Sequence, residues 1–257
     1  MRGISHEDFQ GGTMRKFGSL AAVVAAVLVV ALAAWTRQPA GNAQGGATVT
    51  GKVKFTGAKP TNPPIDMTEE PKCKAKYTTT PTRETVVVNP NGTLANVFVY
   101  VKSGLPASAK YETPKTAVLI DQDGCHYRPH VLGIMVGQTL EIKNSDGILH
   151  NIKAKGVKNR PFNISQPTTM TSTRTFSAPE VMVPLECNVH GWMQAYLGVL
   201  PHPFYAITGA DGSFTIKGLP PGTYTIEAWH EKYATQTATV TIAGTESKTQ
   251  DFTFAAK

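Results

Sequence analysis

The chain has 257 residues, 41% of them hydrophobic and 17% charged, with 23 glycines, 18 prolines, three cysteines, a formal net charge of +7 and a pI of about 9.3. That apolar fraction excludes a disordered, solvating polymer and suits one large folded domain or two small ones. The lysines are scattered and no basic run alternates with aromatics, which excludes a dedicated nucleic-acid surface, while the positive balance favours an acidic partner by steering.

Residues 1–43 read as an export segment. Met14-Arg15-Lys16 supplies a short positive region, Phe17 to Trp35 an apolar run of about 19 residues, and Ala40-Gly41-Asn42-Ala43 a small-residue stretch beyond Arg37 and Pro39. This is the pattern of a signal peptide cut after Ala43 or, left uncut, of a membrane anchor. The run is apolar on every side, unlike a surface helix of a globular domain. Either reading places the remainder in the periplasm or another extracytoplasmic space, touching a membrane only through this segment. There, two of the cysteines Cys73, Cys125 and Cys187 can pair, leaving one as a ligand or reactive thiol.

From residue 46 onward almost every stretch reads as strand. Thr48 to Phe55 (TVTGKVKF) alternates, and Ala95 to Val101 (ANVFVYV) is rich in β-formers, with a Pro- and Thr-rich loop carrying Cys73 between them. Ala117 to Ile120, His130 to Val136 and Thr139 to Lys143 follow, the last two separated by Gly137-Gln138. Asn144-Ser145-Asp146-Gly147 signals a turn. After a variable stretch, Lys153 to Thr175, an apolar strand ends at Leu185 and another covers Gln194 to Leu200. Asp211-Gly212 and Pro221-Gly222 punctuate the alternating strands of the C-terminal part. No helical periodicity longer than two turns occurs after Trp35, so the class is all-β, built as sandwiches.

The segment that carries chemistry is Cys187-Asn188-Val189-His190-Gly191-Trp192-Met193. A thiolate, an imidazole and a thioether recur every three residues, so one loop between two strands can turn all three toward one point. Upstream, the turn at Asn144–Gly147 leads into His150-Asn151, a second imidazole. Two His and a Cys with a weak axial Met form the ligand set of blue copper. A structural zinc site would prefer a harder fourth ligand than Met.

Around these residues the chain resembles the plastocyanin-type cupredoxins. The resemblance runs from Thr116 to Leu200, carried by AVLIDQDGCHYRPHVLGIMVGQTLEIKNSDGILHNI and by a Cys-x2-His-x2-Met spacing like the short ligand loop of amicyanin. It implies a Greek-key copper domain over 114–200, one type 1 copper ion on His150, Cys187, His190 and axial Met193, and Asn151 tying the two ligand loops together. Asn188 departs from the Ser or Thr that usually follows the cysteine and helps bond that Asn. With Cys187 given to the metal, Cys73 and Cys125 remain as a disulfide. His126 and His130, flanking Tyr127-Arg128-Pro129, are strand residues or, with Cys125, a second metal site. His202 and His230 read as structural, and Met135 and Met182 as core. The resemblance further implies an electron exit at the apolar surface around His190, with Trp192 beside it as exit or packing residue. Lying on a loop while His150 is anchored at a strand end, His190 is expected to be the more exposed imidazole, and Lys153, Lys155 and Lys158 on the variable stretch are candidates for steering an acidic partner.

Phe204 to Phe254 resembles the carboxypeptidase regulatory-like (transthyretin-like) sandwich, through AITGADGSFTIKGLPPGTYTIEAWHEKY. A module over 201–257 alone is short for that family, whose opening strands have counterparts in Gly51-Lys52-Val53 and Ala95 to Val99. The strands within 46–110 therefore either belong to this second sandwich, with the copper domain inserted in it, or extend the copper domain.

No Cys-x3-Cys, His-x-His, Gly-x-Ser-x-Gly or His-Glu-x-x-His pattern marks a dinuclear copper centre, a multicopper cluster or a hydrolase. With Met at the axial position no open metal site is expected. The expectation is an electron carrier between redox proteins rather than an enzyme; a copper-delivery protein and an electron-donating accessory subunit of a membrane-linked complex are the alternatives.

Overall fold

The computed structural model describes residues 46–256; residues 1–43, expected to form an export segment, lie outside them. Among the described residues no helix is long and apolar enough to cross a membrane. The chain is nearly all β. In order it forms β1 (Ala47–Thr56), a long connection bearing the single turn α1 (Pro71–Lys74), and β2 (Phe98–Ser103). Nine strands follow: β3 (Val118–Gln122), β4 (Tyr127–Arg128), β5 (Val131–Met135), β6 (Leu140–Asn144), β7 (His150–Ala154), β8 (Phe162–Gln166), β9 (Met170–Arg174), β10 (Glu180–Glu186) and β11 (Gln194–Leu200). The chain closes with β12 (Tyr205–Ile207), β13 (Ser213–Leu219), β14 (Gly222–Trp229), β15 (Gln236–Ile242), β16 (Ser247–Thr249) and β17 (Phe252–Ala255).

β3 to β11 make a central sandwich of two sheets, ordered β4-β3-β6-β9 and β5-β11-β10-β7-β8. Apolar side chains alternate inward from both: Ile120, Leu140 and Ile142 meet Leu132, Ile152, Leu185 and Leu197 in one core. β1 and β2 instead pair with the C-terminal strands. β1 runs antiparallel to β13, with Val49 opposite Ile216, and parallel to β16 and β17. β2 lies between β12 and β14. The segment β3–β11 thus leaves the flanking sandwich after β2 and returns on the strand hydrogen-bonded to β2.

The join between the sandwiches rests on a local absence of side chains. β2 is buried on both faces: Val99 and Val101 enter the flanking core, while Phe98 and Tyr100 face Val131, Met182 and Leu200 of the central sandwich. Parallel pairing of β5 with β11 sets Gly133 beside Gly198, leaving a flat floor. The stacked rings of Phe98 and Tyr205, 5.3 Å apart, lie over it, and Tyr205 Oη donates to Gly133 O at 2.8 Å. A Cβ at Gly198 would meet the Phe98 ring at 2.4 Å, and one at Gly133 the Tyr205 ring at 2.4 Å. Burying each such aromatic contributes on the order of 2 kcal/mol.

The connection from β1 to β2 folds back over the central sandwich. Ile65, Met67 and Cys73 enter the central core, and Cys73 forms a disulfide with Cys125, just before β4. The bond closes a loop with a sequence separation of 52, for which loop-closure entropy gives about 4 kcal/mol of stabilisation.

Candidate metal centre

Two turns deliver the donor side chains. At the end of β6 the Asn144 side chain organises the first: its amide nitrogen donates to Ile148 O and Gln166 O, and its oxygen accepts from Asp146 N–H. This Asx arrangement sets His150 at the first position of β7. The second is the loop between the antiparallel partners β10 and β11, where Glu186 faces Gln194. Cys187 N–H donates to Met193 O at 3.2 Å and Met193 N–H to His190 O at 2.9 Å, folding the loop inward.

The Nδ1 atoms of His150 and His190 face each other at 2.9 Å, and Cys187 Sγ lies 3.8 Å from His190 Nδ1. One donor atom from each of the three residues falls within 4.8 Å of the others. All three are buried, as is Met193, which belongs to the same core cluster as Cys187. Burial alone would raise the Cys187 thiol, but hydrogen bonds from His150, His190 and the backbone bring it down to about 5. Two imidazole nitrogens and a sulfur that ionises readily in a dry pocket fit a copper ion in either oxidation state.

Outer contacts hold these donors. Asn151 Oδ1 accepts the Asn188 N–H at 2.7 Å and lies 3.4 Å from Cys187 Sγ, joining the two turns. The amide nitrogen of Asn151 donates to Asn163 Oδ1 at 2.6 Å, so β8 supplies a partner, and Asn188 contributes its backbone while its side chain is exposed. The Tyr127 hydroxyl donates to Asn151 O, and burial pushes it well above its ordinary range.

Asp146, which the sequence marks only as a turn residue, is the main addition. Its side chain is fully buried and accepts from His150 Nε2 at 2.8 Å, Lys76 Nζ at 2.8 Å, Cys125 N–H at 2.7 Å and Gly124 N–H at 2.8 Å. Burial opposes its ionisation, yet these donors outweigh it and hold the carboxyl well below the usual range. Burial likewise pulls the His150 imidazole down, but Asp146 and Cys187 leave it raised. A carboxylate on the far nitrogen of a ligand imidazole fixes the ring's tautomer and increases its basicity.

The structure corrects the expected exposure of His190. Its imidazole is 1% exposed, against 0% for His150, because the β1–β2 connection caps it. Cys73 Sγ lies 3.6 Å and Glu70 Oε2 3.5 Å from His190 Nε2. The other half of the disulfide, Cys125, sits within 4.8 Å of donor atoms of Asp146 and His150. Trp192 packs 5.1 Å from the His190 ring, and its indole N–H donates to Cys125 O at 3.0 Å.

Among the described residues the remaining histidines do not converge on a further cluster of metal donors. His126 bonds Tyr77 Oη and Gly124 O, and His130 Nε2 meets Glu231 Oε1 at 2.5 Å across the join. His202 donates to Val101 O and accepts from Phe204 N–H, and His230 accepts from Lys232 N–H. Met135 and Met182 are buried. Lys155 pairs with Glu186 at 3.0 Å. Lys153 lies on β7, and Lys158 N–H donates to Glu180.

Residues 200–255 match the family model described as the carboxypeptidase regulatory-like domain. No curated protein matches the chain. Similar solved structures include a copper-containing nitrite reductase from Thermus scotoductus SA-01, 24% identical over 38% of this chain, with a TM-score of 0.31; the match spans 25% of that reductase. A novel purple cupredoxin from Nitrosopumilus maritimus is 24% identical over 32% of this chain and 97% of its own, with a TM-score of 0.28. An oxidised single-substitution mutant of amicyanin is 19% identical over 39% of this chain and 97% of its own, with a TM-score of 0.30.

Proposed function

We propose that the chain is an exported single-electron carrier using one type 1 copper ion, which His150, Cys187, His190 and Met193 would hold. The convergence of a buried, low-pKa thiol with two opposed imidazole nitrogens supports this reading most directly. When bound, copper supplies a reversible one-electron couple. The protein's part is to hold three donors on two pinned turns, to exclude water by burial, and to keep His150 from leaving through its bond to Asp146. A site that needs little rearrangement between oxidation states favours fast exchange. The reading includes no substrate and no catalytic turnover at the metal, an extracytoplasmic location consistent with the disulfide, and an acidic redox protein as partner.

The deciding experiment is a visible and electron-spin-resonance spectrum after copper loading. An intense sulfur-to-copper band with narrow copper hyperfine splitting is expected, and a protein that stays colourless on copper addition would overturn the proposal.

Asp146→Asn provides a graded check. Removing a buried negative charge beside a ligand imidazole favours the cuprous state. The reduction potential should therefore rise by roughly 60 mV, equal to a tenfold shift in relative binding of the two oxidation states. Voltammetry at fixed pH measures it; an unchanged or lower potential counts against a role for Asp146 at the metal.

A further inference from the structure

The capped imidazole raises the question of where a partner reaches the centre. His190 Nε2 faces Glu70 and the disulfide, so its edge offers no docking surface. Trp192, in contact with His190, is only partly buried. It lines a narrow crevice with His126, His130, Arg83, Glu84 and Glu231. Arg83, Glu84 and His126 also line an adjoining cavity of about 330 Å³, whose other walls include Lys59, Asn62 and Arg128.

The charge there is lopsided. Lys59, Arg83 and Arg128 contribute three cations. Of the two carboxylates, Glu84 stands 4.0 Å from Arg128 and Glu231 is engaged by His130. Among the described residues neither Lys59 nor Arg83 has an ion-pair partner. The main chain under Arg83 is anchored: its backbone N–H donates to Pro63 O, and Thr82 bridges to Pro64. An unpaired guanidinium that lines a cavity is a ready partner for a carboxylate.

We infer that this basic cleft is the docking surface for acidic side chains of a redox protein, and that Trp192 is the route between the cleft and His190. The inference rests on the electron-carrier reading for its second half. One electron passes between the reduced centre and an oxidised one-electron partner; no bond is made or broken and no proton moves. The cavity is at the small end of the roughly 300–1,000 Å³ range of ligand pockets, room for a carboxylate side chain rather than a large cofactor. Steering by Lys59, Arg83 and Arg128 acts over a Debye length of about 8 Å at physiological salt, so docking is expected to be fast and salt-sensitive.

Two measurements test it on the full chain. In the first, metal-free protein is titrated at low salt with hexacyanochromate(III), a redox-inert paramagnetic trianion. Broadening of the Trp192 indole N–H and of amides near Arg83 and Arg128 is expected, and Arg83→Glu/Arg128→Glu should abolish it. Broadening centred instead on the exposed Leu149 and Val189, or unchanged in the double variant, overturns the assignment. Displacement of the probe by micromolar inorganic phosphate would make this a small-anion site and overturn the protein-docking claim. In the second, copper-loaded double variant is oxidised by ferricyanide and by a tripositive cobalt polypyridine complex. The ferricyanide rate should fall at least tenfold at low salt and the cobalt rate should rise, with the visible spectrum unchanged. Trp192→Leu should slow both reagents at an unchanged spectrum; equal rates in that variant overturn the route. The metal-free titration separates the two readings, because broadening at the cleft in a protein that never turns blue would defeat the carrier and leave the anion surface standing.

Discussion

Cys187→Ser should erase the visible band of the copper-loaded protein and weaken copper binding by more than the roughly 10–100-fold that loss of an outer contact to a metal site costs. The band requires sulfur, since a hydroxyl is harder and its charge-transfer energy lies outside the visible. Ionisation matters as much: the thiol is brought down to about 5 by its neighbours, whereas a serine hydroxyl in the same contacts stays protonated at neutral pH. The substitution is nearly isosteric and leaves the Cys187 N–H to Met193 O bond in place, so the loop should persist. Circular dichroism and thermal melting of the metal-free variant check that. A variant that retains the band would remove Cys187 from the site and with it the blue-copper proposal.

Acid should weaken the fold before the carboxylates protonate. His202 and His230 are buried, and burial lowers each imidazole to about 4. In His202 the donor Nε2–H and the acceptor Nδ1 are both engaged, so the neutral ring is satisfied and a second ring proton would point at the Phe204 N–H. His230 lies among Tyr233 and Phe254, with Glu231 favouring and His130 opposing its charge. The unfolded chain takes up these protons near pH 6.5 and the folded chain near 4. Stability is therefore full above about pH 6.5 and is lost as pH falls to about 4, by on the order of 3 kcal/mol for each histidine. His150, raised in the metal-free protein, works in the opposite sense, so the comparison belongs to variants. Urea unfolding at pH 7.5, 5.5 and 4.0 should show the loss, and His202→Gln should flatten it. A midpoint independent of pH across that range would sink the prediction.

The all-β class was legible because alternation survives in the chain: Thr48 to Phe55 puts Val49, Val53 and Phe55 inward and Lys52 and Lys54 outward. Strands β8 and β9 were not, since their side chains are largely polar and exposed, and Lys153 to Thr175 reads as a variable stretch. The three-residue spacing puts Cys187, His190 and Met193 on one loop, a local property. Asn163 acts through a partner on another strand, and Asp146, although only four residues before His150, is held by Lys76, Gly124 and Cys125 from distant segments, so its burial and charge are not announced by its place in a turn. The cap is the clearest failure of local reading. A Pro- and Thr-rich segment more than a hundred residues before His190 has no periodicity, and contacts distant in sequence, among them the disulfide, the ion pair from Lys76 to Asp146 and the burial of Ile65 and Met67, bring it over the imidazole.

The pairing of β1 with strands at the far end of the chain has a consequence for biosynthesis. Val49 waits for Ile216, about 167 residues later, before its ladder can form. At roughly 5–20 residues per second on the ribosome, the apolar side of β1 stays without its partner strand for on the order of 10–30 s. The central sandwich, whose strands are contiguous, can complete its sheets within that interval. The nascent chain then carries one finished unit with an orphaned sticky strand ahead of it, a species for which a holdase is a natural requirement and for which truncation after Leu200 should cause aggregation rather than a clean half-protein.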